Sequence, residues 1–227
     1  MLSRWPHGFF TRRASGCPPA QLAVALALPA QTAFYLKQTH SAQIQPVPVE
    51  PGCTGDALWS DRPGDSIWVS TADCTPILLA DPRTGAVAAI HAGWRGTAQS
   101  IVGATVAALC KQGSDPANLL CAMGPAISGS AYQVAHGVAS EVTATITEAS
   151  LALLPDAEPG RVRLDVREVN RQQAIARGLL PERIAICPAC TYGSPDWLYS
   201  YRREGGGKIQ YSGIGLPIEQ GPGDDNR

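Results

Sequence analysis

The sequence predicts a single α+β domain in which mixed β-sheets are flanked by helices, and three observations carry that expectation. The chain has 227 residues, 44% of them hydrophobic and 16% charged, enough apolar material for one full core. Its middle holds three short apolar runs of strand length. Segments of helical period are interspersed among strand-like runs without a regular βαβ rhythm, which argues for mixed sheets in one domain spanning residues 1–227.

In chain order, the part up to about Gly55 reads as irregular, with Pro46, Pro48 and Pro51 marking extended edge or loop structure. Ser66–Thr71, Pro76–Ala80 and Ala86–His91 read as strands, the last entered through a turn at Asp81–Gly85. Gly93-Trp94-Arg95-Gly96 reads as a glycine-bounded loop. After it, Thr97 is the expected N-cap of a helix whose apolar face is Ile101, Val102, Thr105, Val106, Leu109 and Cys110, with Gly113 just past its end. Asn118–Met123 reads as a strand. Val134, Val138, Val142 and Ile146, four residues apart, predict a second helix, and Asp165 is expected to cap a third over Val166–Gly178. Arg183–Cys187 and Lys208–Tyr211 complete the predicted strands.

The formal net charge is −1 and no Lys/Arg stripe exists, so a nucleic-acid polymer is not an expected partner; a small phosphate-bearing ligand needs only one or two placed cations. The longest apolar stretch, Leu22–Leu36, is interrupted by Pro29, Gln31 and Thr32, so no membrane span is expected. The first residues lack the apolar run of a signal peptide, so a cytoplasmic location is expected, with the seven cysteines as reduced thiols or metal ligands. A monomer or weak homodimer is the expected assembly.

Cys74 follows one predicted strand and His91 ends another, positions where a rigid sheet supports chemistry; His40 ends the apolar stretch Phe34-Tyr35-Leu36. Two imidazoles and a thiolate suit zinc with a fourth position open, and they also suit copper. No short ligand motif links the three, and two other readings fit them. One is a small buried cysteine with two hydrogen-bonded histidines. The other is a thiol hydrolase with Cys74 as nucleophile and His91 as base, in which Asp73, on an extended backbone, points to the opposite face.

Specific motifs then run along most of the chain: His7-Gly8-Phe9-Phe10-Thr11-Arg12, Lys37-Gln38-Thr39-His40, Gly55-Asp56-Ala57-Leu58, Thr71-Ala72-Asp73-Cys74-Thr75-Pro76, His91-Ala92-Gly93-Trp94-Arg95-Gly96, Gly124-Pro125-Ala126-Ile127, Leu164-Asp165-Val166 and Tyr199-Ser200-Tyr201-Arg202-Arg203. In this order they resemble the laccase-domain family, whose members are variously named multicopper polyphenol oxidases, purine nucleoside phosphorylases and peptidoglycan editing factors. The resemblance implies that His40, Cys74 and His91 bind the metal and carry catalysis. It implies phosphorolysis of adenosine, inosine, guanosine and methylthioadenosine with zinc, together with adenosine deamination. Copper-dependent phenol oxidation and hydrolytic editing of a peptidoglycan precursor are its alternatives.

Within that frame Arg12 and Arg95 are the candidates for holding phosphate, because guanidinium forks match its oxygens. Gln38 and Trp94 are expected to line the pocket. Asp56 and Asp73 are expected to orient the ligands or satisfy turn donors. The segment after Arg12 is shorter than in family members, which touches a pocket wall.

Three further signals carry less. Cys187-Pro188-Ala189-Cys190 lacks the second pair of a zinc ribbon. Gly205-Gly206-Gly207-Lys208 lacks the spacing and following helix of a phosphate loop and reads as a hairpin turn. His136 is expected on the surface of the second helix.

Overall fold

The computed structural model describes residues 2–218. In chain order the elements are β1 (His7–Phe9), α1 (Pro19–Ala25), β2 (Ala33–Tyr35), β3 (Ile44–Pro46), β4 (Ala57–Ser60), β5 (Ser66–Thr71), β6 (Thr75–Ala80), β7 (Val87–Ala92), α2 (Trp94–Ala98), α3 (Ile101–Lys111), β8 (Leu120–Met123), β9 (Gln133–Ala135), α4 (His136–Thr143), β10 (Leu153–Pro155), β11 (Arg161–Leu164), α5 (Val166–Ala176), β12 (Ile184–Ile186), α6 (Tyr201–Glu204) and β13 (Gln210–Gly215). They form a six-stranded sheet ordered β12-β8-β6-β7-β4-β3, a four-stranded sheet ordered β1-β13-β5-β2, and a small sheet ordered β10-β11-β9. The expected α+β class with mixed sheets is what the chain adopts: β3–β4, β2–β5 and β8–β12 pair in parallel, the other strand pairs antiparallel.

The apolar runs are strands buried on both faces, which is why they read as nearly continuous rather than alternating. In β6, Ile77 and Leu79 point toward Ile101, Val102, Val106 and Leu109 of α3. Leu78 and Ala80 point the other way, against Ile67 and Val69 of β5 and Ile214 of β13. In β5 the intervening Trp68, fully buried, faces Leu22 and Ala23 of α1. Period-two alternation therefore stacks α3, the six-stranded sheet, the four-stranded sheet and α1 as successive layers. The hairpin between β6 and β7 is the expected turn: the Asp81 carboxylate accepts from the backbone N–H of Arg83 at 2.8 Å, and Gly85 takes the left-handed φ of +83°. Asp165 caps α5 as expected, accepting from the N–H groups of Arg167 and Glu168.

The structure departs from the sequence reading in five places. The N-terminal part is not irregular: it holds α1 and three short strands. Pro19 pre-sets the first helical φ, and the helix is stabilised by packing on Trp68 rather than by an amphipathic pattern. The Gly93–Gly96 stretch is not a loop, because Gly93 is itself the N-cap and α2 starts at Trp94. Thr97 is consequently no cap. It lies fully buried in α2, its hydroxyl donating to Asn170 at 3.3 Å, and Ser100, left-handed at φ +59°, separates α2 from α3. Val134 belongs to β9, not to the helix. Strand and helix α4 present Val134 and Val142 to the same small core, which mimics a four-residue period. Last, Gly205–Gly207 makes no hairpin; it links α6 to β13. No helix of the described residues is long and apolar enough to cross a membrane.

Candidate metal centre

The register of the six-stranded sheet sets out the site. β6 and β7 pair antiparallel with Pro76 opposite His91, so Cys74, one step before β6, lies at the same sheet end as His91. β4 runs along the other side of β7, and the His91 N–H donates to the Asp56 carbonyl at 2.7 Å. His40 arrives from the loop after β2, held in the left-handed region at φ +59°. One ligand atom of each of His40, Cys74 and His91 lies within 4.8 Å of the others, and the imidazoles meet edge to face with centroids 4.8 Å apart.

Asp56, fully buried, holds both histidine segments. Its Oδ1 sits 2.8 Å from His91 Nδ1, which donates as N–H and turns Nε2 toward Cys74. The same oxygen accepts from the His40 N–H at 3.0 Å. Oδ2 accepts from the Ser41 N–H at 2.7 Å, the Ser41 hydroxyl at 2.8 Å and the Thr39 N–H at 3.2 Å. These donors hold its carboxyl well below the ordinary carboxylate range despite burial.

Asp73 does a different job. Left-handed at φ +87°, it turns away from the triad; one oxygen accepts from the Thr191 hydroxyl at 2.5 Å, the other from the Ser200 hydroxyl at 3.0 Å and the Arg202 N–H at 2.7 Å. It thereby ties the β5–β6 turn to the chain around Thr191 and to the start of α6.

The electrostatics suit a bound cation. Burial alone raises the Cys74 thiol, but the two imidazoles outweigh it and bring the group down to about 6. Burial lowers His91, while Asp56 and then Cys74 outweigh it and raise the imidazole to about 9. A thiolate, a buried carboxylate and two imidazoles are thus gathered with protons standing in for positive charge, and a divalent cation satisfies the same demand. Room for it exists because residue 93 is glycine. A Cβ there would lie 2.9 Å from Cys74 Sγ, 3.1 Å from His40 Cδ2 and 3.7 Å from His91 Nε2. Three protein donors and an open fourth direction are the composition of a catalytic rather than a structural site.

Gly93→Ala is accordingly expected to abolish metal retention while the protein still folds, since φ −76° suits any residue. Metal analysis after dialysis should fall from about one ion per chain toward none. Full retention would show that the ion does not sit among these three side chains.

The triad opens into a cavity of about 680 Å³. Gln38 is on its wall, but its amide is engaged by Ser70, accepting from the N–H at 2.7 Å and donating to the carbonyl at 2.8 Å. Arg95 is on the wall, its guanidinium over the Trp94 ring at 4.3 Å. Arg12 is not among the lining residues. It donates to Glu204 at 2.8 Å and to the Pro195 carbonyl and stacks on Tyr199, which places it in the fold behind the wall. Tyr132, Arg202 and Lys208 line the cavity without having been singled out from sequence. Arg202 stood inside a recognised motif, and Lys208 followed the glycine run read as a hairpin. Nothing local marked Tyr132, whose phenol is pushed up to about 12, by burial first and the Cys74 charge next. His136 is exposed on α4 as expected, and Cys187 and Cys190 are free thiols that are not among the residues lining the cavity.

A family model described as multi-copper polyphenol oxidoreductase laccase matches residues 19–214. The chain is similar to a protein named purine nucleoside phosphorylase of Synechocystis sp., 39% identical over 94% of this chain and 90% of the relative. Another so named, of Deinococcus radiodurans, is 35% identical over 89% and 77%. Among solved structures, the hypothetical protein YfiH of Bacillus licheniformis superposes with a TM-score of 0.86 at 27% identity, covering 92% of each chain. YlmD of Geobacillus stearothermophilus gives 0.80 at 28%, covering 94% and 90%.

Proposed function

The chain belongs to the multi-copper polyphenol oxidoreductase laccase family, and from that membership we propose that it is a zinc-dependent purine nucleoside phosphorylase that also deaminates adenosine. The observation that carries the reading is the two-histidine, one-cysteine donor set facing a cavity of nucleoside size. The relatives' names support phosphorolysis.

In that reading His40, Cys74 and His91 hold the ion, Asp56 fixes the tautomer of His91 and the path of His40, and Asp73 keeps the opposite wall in place. Zinc held by these three residues would supply a Lewis acid and would acidify water. The chain's own residues position the reactants. Trp94 and Tyr132 line the cavity beside the reactants, and Arg95 attracts phosphate. Phosphate oxygen bonds to the ribose anomeric carbon as the glycosidic C–N bond breaks. The base leaves with its electron pair and takes the proton that hydrogen phosphate brings, so ribose 1-phosphate and free purine are formed. With adenosine and water instead, a C–O bond forms at C6, the C6–N bond breaks, and inosine and ammonia leave.

A copper polyphenol oxidase is the weaker reading. Ordinary laccases need several coppers, and among the described residues the His40–Cys74–His91 group is the one cluster of its kind.

The test is purified protein with inosine, with and without phosphate, and adenosine without phosphate. Hypoxanthine release that requires phosphate, and ammonia from adenosine, are the expected results. Stoichiometric zinc with no change in either nucleoside would overturn the reading and shift the same centre to hydrolysis of a cell-wall precursor.

A further inference from the structure

We propose that Arg95, Arg202 and Lys208 together form a dianion subsite in the cavity and that inorganic phosphate occupies it; naming phosphate as the anion rests on the phosphorolysis reading above. The three come from α2, α6 and the segment before β13, and all line the one cavity that contains the triad. Among the described residues none of them has a carboxylate partner, whereas Arg12, Arg163, Arg167, Arg171 and Arg203 each have one. Among the described residues the one carboxylate on the cavity wall, Asp73, does not neutralise them with a side-chain ion pair: its oxygens are taken by Thr191, Ser200 and the backbone of Arg202.

Two of the cations are held flat. Arg95 lies over Trp94 at 4.3 Å and Arg202 over Tyr132 at 5.2 Å, which leaves the guanidinium edges to point elsewhere. Arg202 spends two N–H groups on the Gln133 carbonyl, and the Arg95 guanidinium spends none among the described residues. Tyr132 lines the same cavity as both guanidinium groups, and burial, pushing its phenol up to about 12, keeps it a neutral donor. Lys208 follows three successive glycines at φ +76°, +106° and +75°, a left-handed run that residues with side chains rarely adopt, and it lines the cavity. Unpaired cations around a partly enclosed space attract a compact dianion, with forked guanidinium contacts giving geometry and the ammonium a point charge.

Arg95→Gln and Lys208→Gln test the subsite, since both side chains are exposed and make no side-chain hydrogen bond among the described residues. Each is expected to raise KM for phosphate about 10- to 100-fold with KM for inosine and bound metal unchanged, and Lys208→Arg should restore most of the loss. Unchanged KM for phosphate in both glutamine variants, with wild type active, overturns the subsite and leaves the phosphorylase reading standing. If wild type releases no base, the readout is thermal shift on titrating inorganic phosphate. Stabilisation of wild type that both variants lose keeps the subsite, and no stabilisation of wild type removes it.

Discussion

Cys74→Ala is expected to lose both metal and base release, with dialysed wild type holding about one ion per chain and the variant none. The thiolate is the one anionic donor of the three, and two neutral imidazoles are a weak site for a divalent ion in water. The same variant separates a ligand from a merely packed cysteine through stability. In the metal-free protein the thiolate is desolvated and supported only by His40 and His91, so trading it for a methyl costs little there. Metal binding, by contrast, stabilises the folded chain by mass action. Chelation should therefore lower the melting temperature of wild type to near that of Cys74→Ala, and leave the variant's melting temperature where it was. Equal metal in both proteins would place the ion elsewhere. Absence of metal in both, with wild-type turnover blocked by alkylation, would return the site to a Cys74 nucleophile with His91 as base.

What could be read from sequence was what is local. The β5–β7 runs carry their own signature, because strands buried on both faces are apolar throughout, and their ends fall where Cys74 and His91 stand. The turn at Asp81 and the cap at Asp165 likewise need only a carboxylate and its neighbouring N–H groups. The rest depended on distant partners. Helix α1 has neither a polar face nor a side-chain cap, and exists because Trp68, some forty residues on, covers it. Trp94 and Arg95 looked like loop residues between glycines, yet Gly93 is needed for space beside Cys74 and starts the helix as a consequence. The two aspartates looked alike in sequence, each beside a motif residue. Asp56 faces the triad because β4 pairs with β7, while Asp73 faces away because its left-handed backbone turns it toward Thr191 and Ser200. The cavity wall opposite the metal ligands is assembled from Tyr132, Arg202 and Lys208, which no periodicity relates.

The second large effect is expected at Asp56. Asp56→Asn keeps the shape and can still accept from His91 Nδ1–H through one oxygen. Its amide NH2, however, must then face the Ser41 N–H and Thr39 N–H, which donate at 2.7 and 3.2 Å. Donor meets donor at a side chain that is itself fully buried, in contacts that are part-buried. Each stranded N–H costs about 1–3 kcal/mol, so a loss of roughly 2–6 kcal/mol follows from the pair. At this chain length the melting temperature should fall by roughly 4–24 °C. The chemistry suffers separately, because an amide oxygen holds the imidazole N–H less firmly than a carboxylate, and the loop carrying His40 is no longer pinned. Metal affinity should drop about 10- to 100-fold, measured by competition with a chromophoric chelator at a temperature where the variant remains folded. The two effects are separable by saturating metal. Turnover that recovers fully in excess metal would limit Asp56 to holding the ion. Turnover that stays low at full occupancy would mean that the orientation it imposes on His91 and His40 matters to the reaction itself. A variant as stable as wild type with unaltered affinity would refute the role assigned to this carboxylate.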